Sequence, residues 1–206
     1  MIDLSRSPLE VAPLLLGAVL RHGEVALELT EVEAYLGPDD PASHAFRGPT
    51  ARTQVMFGPP GHLYVYLSYG VHLAANLVCA PDGTAGAVLL RSGRVVDGAV
   101  VARRRREGAR RPGSAPVPDV ELARGPGNLG RALGLVIEDS GAVVGQSPHG
   151  PREPGFALAD GRSGQVELAC GPRVGVSLAH EVDWRFWIPA EPSVSRYARS
   201  PRAPRG

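Results

Sequence analysis

Between residues 24 and 91 the chain reads as four strand-like runs with no helical pattern between them. Residues 24–35 alternate, so that Val25, Leu27, Leu29, Glu31, Glu33 and Tyr35 fall on one face of an extended strand. Residues 62–69 (HLYVYLSY), 72–80 (HLAANLVCA) and 86–91 (GAVLLR) follow, the last two joined by a Pro81-Asp82-Gly83 turn. Successive strands without intervening helices pair antiparallel, whereas a parallel sheet needs βαβ alternation, which is absent. The pattern therefore predicts a mixed α/β domain of the α+β kind: a mostly antiparallel sheet flanked by helices.

The rest of the chain fits around that sheet. Ser7 is a candidate N-cap and Pro8 a first-turn proline, so residues 8–20 read as a short helix running into a strand. Residues 93–107 and 119–134 predict helices on either side of a Pro/Gly linker at 112–118. Residues 140–165 read as a loop, and short strands return at 166–177 and 182–188. A length of 206 residues suits one domain, placed at 1–191. From residue 192 the chain holds four arginines and no acid, which predicts a basic, mobile tail over 192–206.

Charge narrows the chemistry. All 22 basic side chains are arginine. With no lysine there is no side-chain amine for a Schiff base, and no phosphate-binding loop of the Gly-Lys type. Codon bias in a GC-rich genome accounts for the exchange, but the chemical exclusion holds whatever its cause. The two cysteines, Cys79 and Cys170, form no CxxC pair and read as reduced structural residues. No charged-then-apolar leader opens the chain and no apolar run approaches the about 20 residues a membrane helix needs, so a cytoplasmic protein without membrane contact is expected. The formal net charge is +1, yet residues 1–46 hold eight acids against two arginines, and residues 47–135 hold twelve arginines against five acids. That basic middle is either a phosphate-binding face or a solvated helix surface.

Residues 36–61 form a long polar loop rich in Pro and Gly, and loops of that length inside a domain are commonly functional. Around it lie six of the eleven aromatic residues: Tyr35, Phe46, Phe57, Tyr64, Tyr66 and Tyr69. They offer flat surfaces for stacking, or they dress a sheet core. An acidic group, Glu31, Glu33, Asp39 and Asp40 with His44, accompanies them. Its spacing matches no metal-binding motif. Glu33 continues an apolar face just before a tyrosine. There it is a general base held in a partly buried setting, or one half of a salt bridge. His44 is a pocket residue or a satisfied loop histidine. Asn76 interrupts an apolar run and must bond either the sheet backbone or a ligand edge. Arg91 ends an apolar strand, where it reaches a phosphate or caps the sheet.

These words occur together and in order. EVEAYLGPDDPASHAFRG, RTQVMFGPPGHLYVYLSYGVHLAANLVC, AVLLR and LARGPGNLGRALGL, followed by PRVGVSLAH and WRFWI, closely resemble the alkyladenine (3-methyladenine) DNA glycosylase family, in register from about residue 10 to residue 190. The resemblance implies a single domain with a curved antiparallel sheet, no metal or other cofactor, and damaged double-stranded DNA as the partner of a monomer. It implies flipping of an alkylated or deaminated purine and hydrolysis of its N-glycosidic bond. By position, Glu33 is implied as the base that activates water, with Arg91 near that water and a backbone phosphate. Tyr35 and Tyr66 are implied as walls around the flipped base, and His44 as a pocket hydrogen-bonding partner. Asn76 would discriminate against the guanine amino group, and Tyr69 would wedge into the minor groove. Arg103 and Arg104, in the basic middle, are expected at DNA phosphates. Without a lysine the product should be an intact strand bearing an abasic site. Two other readings stay open: a non-catalytic DNA-binding module on the same fold, and a metal-dependent hydrolase built on the acidic loop.

Overall fold

The computed structural model describes residues 1–68, 70–146, 155–161 and 167–204. It holds three helices, α1 (Pro8–Leu15), α2 (Ala99–Glu107) and α3 (Pro126–Leu133). The strands are β1 (Val19–His22), β2 (Val25–Tyr35), β3 (Leu63–Ser68), β4 (His72–Val78) and β5 (Ala87–Asp97). Four short ones follow: β6 (Val144–Gln146), β7 (Phe156–Ala159), β8 (Ala169–Gly171) and β9 (Arg185–Trp187). All belong to one curled sheet of order β3-β4-β5-β2-β1-β7-β6, with β9 on β2 and β8 on β9. Every pairing is antiparallel except β6 with β7. The expected fold class is therefore the observed one. Among the described residues no helix is long and apolar enough to cross a membrane.

Three expected element boundaries need correction. The predicted helix at 93–107 begins only at Ala99, because β5 runs on to Asp97 along β2. Residues 93–97 continue that strand, and the helix takes in the arginine run with the four residues before it. The predicted helix at 119–134 is a single turn at Asp119–Glu121 followed by α3. Within the predicted loop at 140–165 lie β6 and β7, and β7 continues the sheet beyond β1. Residues 147–154 and 162–165 of that stretch lie outside the described residues.

The centre of the sheet departs from simple alternation, and that departure builds the site. Leu29 pairs with Gly93, Glu31 with Ser92 and Val32 with Leu90. Thr30 in β2 and Arg91 in β5 are thus each one residue more than the ladder accommodates, a pair of opposed bulges. Each extra residue shifts the phase of its strand. Before the bulge Val25, Leu27 and Leu29 face the helix-side core; after it Val32 and Ala34 do, with Val88 and Leu90 beside them. Glu31, Glu33 and Tyr35 therefore do not continue the face of Leu27 and Leu29, as alternation predicted. That face packs on Val11 and Leu15 of α1, Ala102 of α2 and Leu129 and Leu133 of α3. The opposite face carries a smaller cluster in which Tyr64, Val78 and Ala87 meet Ala45 and Met56 of the long loop. Glu33, Leu89, Asn76 and Tyr64 follow one another across β2, β5, β4 and β3 as a single cross-strand row on this side.

The far edge of β2 is divided. Its first half pairs with β1, and Leu29 closes that ladder through bonds to Gly17 and Ala18. From Thr30 onward the partner is β9, with the Ile188 N–H on the Thr30 carbonyl at 3.0 Å and Glu31–Glu33 opposite Arg185–Trp187. The expected mobile tail is held here as well. Ser193 is fully buried with its hydroxyl 2.9 Å from Thr30 Oγ1, and the Gly175 N–H donates to the Ala198 carbonyl at 2.9 Å.

Candidate active site

Six of the residues singled out in the sequence meet around one cavity of about 520 Å³. β2 contributes Tyr35, the long loop His44, β3 Tyr64 and Tyr66, β4 Asn76 and β5 Arg91; the segment 174–178 closes the far side. Tyr64 and Tyr66 stack at 5.6 Å between ring centroids, and His44 meets Tyr66 edge-on at 4.6 Å. His44 Nδ1 lies 3.0 Å from the Tyr64 hydroxyl. Burial, with Arg52 adding to it, holds the His44 imidazole below its ordinary pKa, so it is neutral near pH 7. Asn76 donates its amide to the Tyr64 carbonyl at 3.1 Å. The backbone reading of Asn76 thus holds for the nitrogen, while the residue also lines the cavity.

Glu33 lies fully buried at the root of the Tyr35 wall, behind Tyr35, Arg91 and Val174. Its Oε1 accepts the Val174 N–H at 2.7 Å and stands 3.2 Å from Arg91 Nη1. Its Oε2 accepts the Tyr35 hydroxyl at 2.9 Å. Burial, then the Glu33 charge, push the Tyr35 phenol well above its ordinary pKa, so it remains a donor. Glu33 is thus in contact with an arginine, as the salt-bridge reading required, and it also has an oxygen with spare acceptor capacity.

Arg91 is bulged out of the ladder, and its guanidinium has three neighbours. Nε donates to Glu31 Oε1 at 2.8 Å, Nη1 faces Glu33, and Nη2 donates to Ser195 Oγ at 3.2 Å. Burial opposes its charge, but Glu33 and Glu31 outweigh that and raise its pKa above the ordinary value. Glu31 is the hub of the network. Besides Arg91 it accepts Arg185 Nε at 2.8 Å, Ser92 Oγ at 2.7 Å, and both the N–H and the hydroxyl of Ser195 at 2.8 and 2.9 Å. Burial alone would raise its pKa; Arg91, Ser92, Arg185 and Ser195 reverse the sign and leave it lowered.

The acidic group of the sequence does not converge on a common point. Asp40 is paired with Arg173 through two contacts of 2.5 and 2.9 Å, both side chains fully buried, and Asp39 is exposed. The Arg173 guanidinium lies 4.5 Å behind the Tyr35 ring and 4.9 Å from that of Trp184. Arg173, Arg185 and Ser195, and the backbone of Val174, contact the site residues and were missed by sequence reasoning. The first two stand inside the PRVGV and WRFWI words, and an arginine in so apolar a stretch as WRFWI was the available signal. For Ser195 there was none.

The remaining expected residues lie elsewhere. Tyr69 is outside the described residues. Arg103 and Arg104 are on α2. Arg103 is tied to Asp119 and the Val117 carbonyl, whereas Arg104 is exposed. The helix that touches the cavity is α3, through Pro126.

The sequence profile of the methylpurine-DNA glycosylase family matches residues 2–192. A protein of Corynebacterium jeikeium is 55% identical over 199 residues, covering 94% of this chain and 90% of its own length. One of Cutibacterium acnes is 54% identical over 202 residues, covering 95% and 98%, and one of Nocardia farcinica 52% identical over 207 residues, covering 98% and 92%. All three are named, provisionally, 3-methyladenine DNA glycosylases. A family profile matched almost from end to end, with relatives more than half identical over nearly their whole length, places the chain in the methylpurine-DNA glycosylase family.

Proposed function

We infer that the protein is a monofunctional DNA glycosylase. In this reading it acts as a monomer on damaged duplex DNA, takes an alkylated or deaminated purine out of the stack and hydrolyses its N-glycosidic bond. The observation that carries the reading is Glu33, buried against Arg91 at the root of a cavity walled by tyrosines. Flipping costs a few kcal/mol, less for a damaged base, and stacking on Tyr35 and Tyr66 offsets it. A purine alkylated at a ring nitrogen is cationic. That favours the electron-rich tyrosine faces and makes the base a better leaving group.

The bond electrons leave with the base, and the sugar passes through an oxocarbenium-like state. Water attacks the anomeric carbon while Glu33 takes its proton through Oε2, the oxygen with a single protein donor. The carboxylate also stabilises the cationic sugar, and Arg91 Nη1, 3.2 Å from Oε1, holds it in place. Asn76, fixed through its nitrogen, stands in the cavity wall, where its bulk leaves no room for the extra amino group of guanine. Tyr69 fills the vacated stack. No lysine is available to form an imine with the sugar, so the strand stays whole around an abasic site.

The test is base release from a duplex carrying one alkylated purine, read by alkaline cleavage of the product. Glu33→Gln should lower the single-turnover rate by about 10²–10⁴-fold and leave binding of the damaged duplex intact. A variant that cuts at the wild-type rate would remove Glu33 from the role of base. A wild-type protein that binds and releases nothing would establish the non-catalytic reading, and inhibition by EDTA the metal-dependent one.

A further inference from the structure

The family profile ends at residue 192, yet a residue beyond it enters the charge network of the cavity. Ser195 makes four contacts there. Its N–H donates to Glu31 Oε2 at 2.8 Å and its hydroxyl to Glu31 Oε1 at 2.9 Å. The same hydroxyl oxygen accepts from Arg91 Nη2 at 3.2 Å, and its carbonyl accepts from Arg185 Nη2 at 2.8 Å. We propose that Ser195 is a positioning residue of the active site, which sets the direction in which Arg91 presents its guanidinium to Glu33. The proposal rests on the reading of Glu33 and Arg91 given above.

The argument turns on which carboxylate Arg91 would choose if left free. A guanidinium beside a carboxylate prefers the two-toothed grip, with Nε and one Nη on the two oxygens. Arg91 makes only half of that grip on Glu31, through Nε. The second oxygen of Glu31 is already occupied by the Ser92 hydroxyl and the Ser195 N–H. Ser195 Oγ then meets the Nη2 that would have completed the fork. Because this hydroxyl gives its hydrogen to Glu31, its lone pairs face Arg91. The Nε edge of the guanidinium is thus shared between Glu31 and Ser195, and Nη1 is left facing Glu33 at 3.2 Å.

Without the hydroxyl, Nη2 of a buried side chain has no acceptor. The guanidinium is then held on this edge by Nε alone, and the direction of Nη1 toward Glu33 is no longer fixed. Ser193, two residues earlier, is the natural comparison. It anchors the same segment to Thr30 and to Glu191, and touches neither Arg91 nor Glu31.

The experiment compares the full-length wild type with Ser195→Ala, Ser195→Thr and Ser193→Ala on a duplex holding one alkylated purine. Single-turnover release and equilibrium binding are measured separately, with thermal melting alongside. Ser195→Ala should slow release on the order of tenfold with unchanged duplex affinity, the loss expected for one hydrogen bond to a charged group. Ser195→Thr, which keeps the hydroxyl and the N–H, should restore the rate. Ser193→Ala should lower the melting temperature and leave the rate alone. If Ser195→Ala releases base at the wild-type rate, or if Ser193→Ala slows release equally, the positioning role is wrong and the segment is only an anchor. If the wild type itself releases no base, the glycosylase reading falls and takes this role with it.

Discussion

Arg173 and Asp40 meet where neither side chain reaches solvent. Two charges so placed are held by each other, by the Ala34 carbonyl at 3.0 Å and by the Tyr35 and Trp184 rings. Taking both out of water is costly, so the pair adds little net stability, but removing one partner leaves an uncompensated buried charge. Arg173→Met should therefore destabilise the protein by about 3–5 kcal/mol in urea unfolding, and adding Asp40→Leu should return part of the loss. No recovery in the double variant would mean that stacking on the two rings, and not charge pairing, is what Arg173 supplies. Residues of this kind explain what was legible at the smallest scale. Glu33, Tyr35, His44 and Asn76 sit inside contiguous words and announce themselves by being polar or aromatic in apolar company. Arg173, Arg185 and Ser195 matter through partners more than 100 positions away, a distance no local pattern records.

At the scale of elements, alternation located β2, β3 and β4 almost to the residue and failed in the middle of β2. Nothing in LELTEVEAY marks Thr30 as an extra residue; the bulge exists because β5 carries its own at Arg91 and the two cancel in register. The ladder is the same on both sides of the pair, while every side chain beyond it has changed face. The end of β5 was missed for a similar reason, since its extension to Asp97 depends on β2 lying alongside. Helix α3 shows how closely an element can be tied to the sheet. A Cβ on Gly130 would overlap the Leu73 carbonyl of β4, and one on Gly127 would meet the His72 side chain. Gly130→Ala should lower unfolding free energy by about 1–3 kcal/mol, because helix and strand must separate to admit a methyl group. The same helix brings Pro126 to the cavity, so the variant should also weaken binding of damaged duplex. An Ala variant as stable as wild type would show that this contact relaxes at no cost.

Over the whole molecule, the segregation of charge along the sequence is largely undone in space. The acids of the first 46 residues find arginines from far downstream: Glu31 and Glu33 meet Arg91, Glu31 also Arg185, Glu28 meets Arg94 and Asp40 meets Arg173. Part of the basic middle is therefore neutralised inside the protein and cannot displace counterions from DNA. Arg103 and Arg104 make the point testable, because Arg103 is paired with Asp119 and Arg104 is not. On a log–log plot of duplex affinity against salt, Arg104→Ala should reduce the slope by about 1 and Arg103→Ala by clearly less. Equal changes would mean that the Asp119 pair opens on DNA.

One further consequence follows from the divided edge of β2. Through Glu31–Glu33 the strand has β5 on one side and β9 on the other, so its amides have no free edge from which to open. In hydrogen exchange they belong with the groups released only when the whole domain unfolds. The opposite walls of the cavity, residues 41–44 and 174–178, are loop segments joined to the sheet by few bonds, and they belong at the fast end of the same scale. The two sides of the cavity are thus built to different time constants. The loop side is expected to exchange its amide hydrogens many times over before the strand carrying the carboxylate opens once.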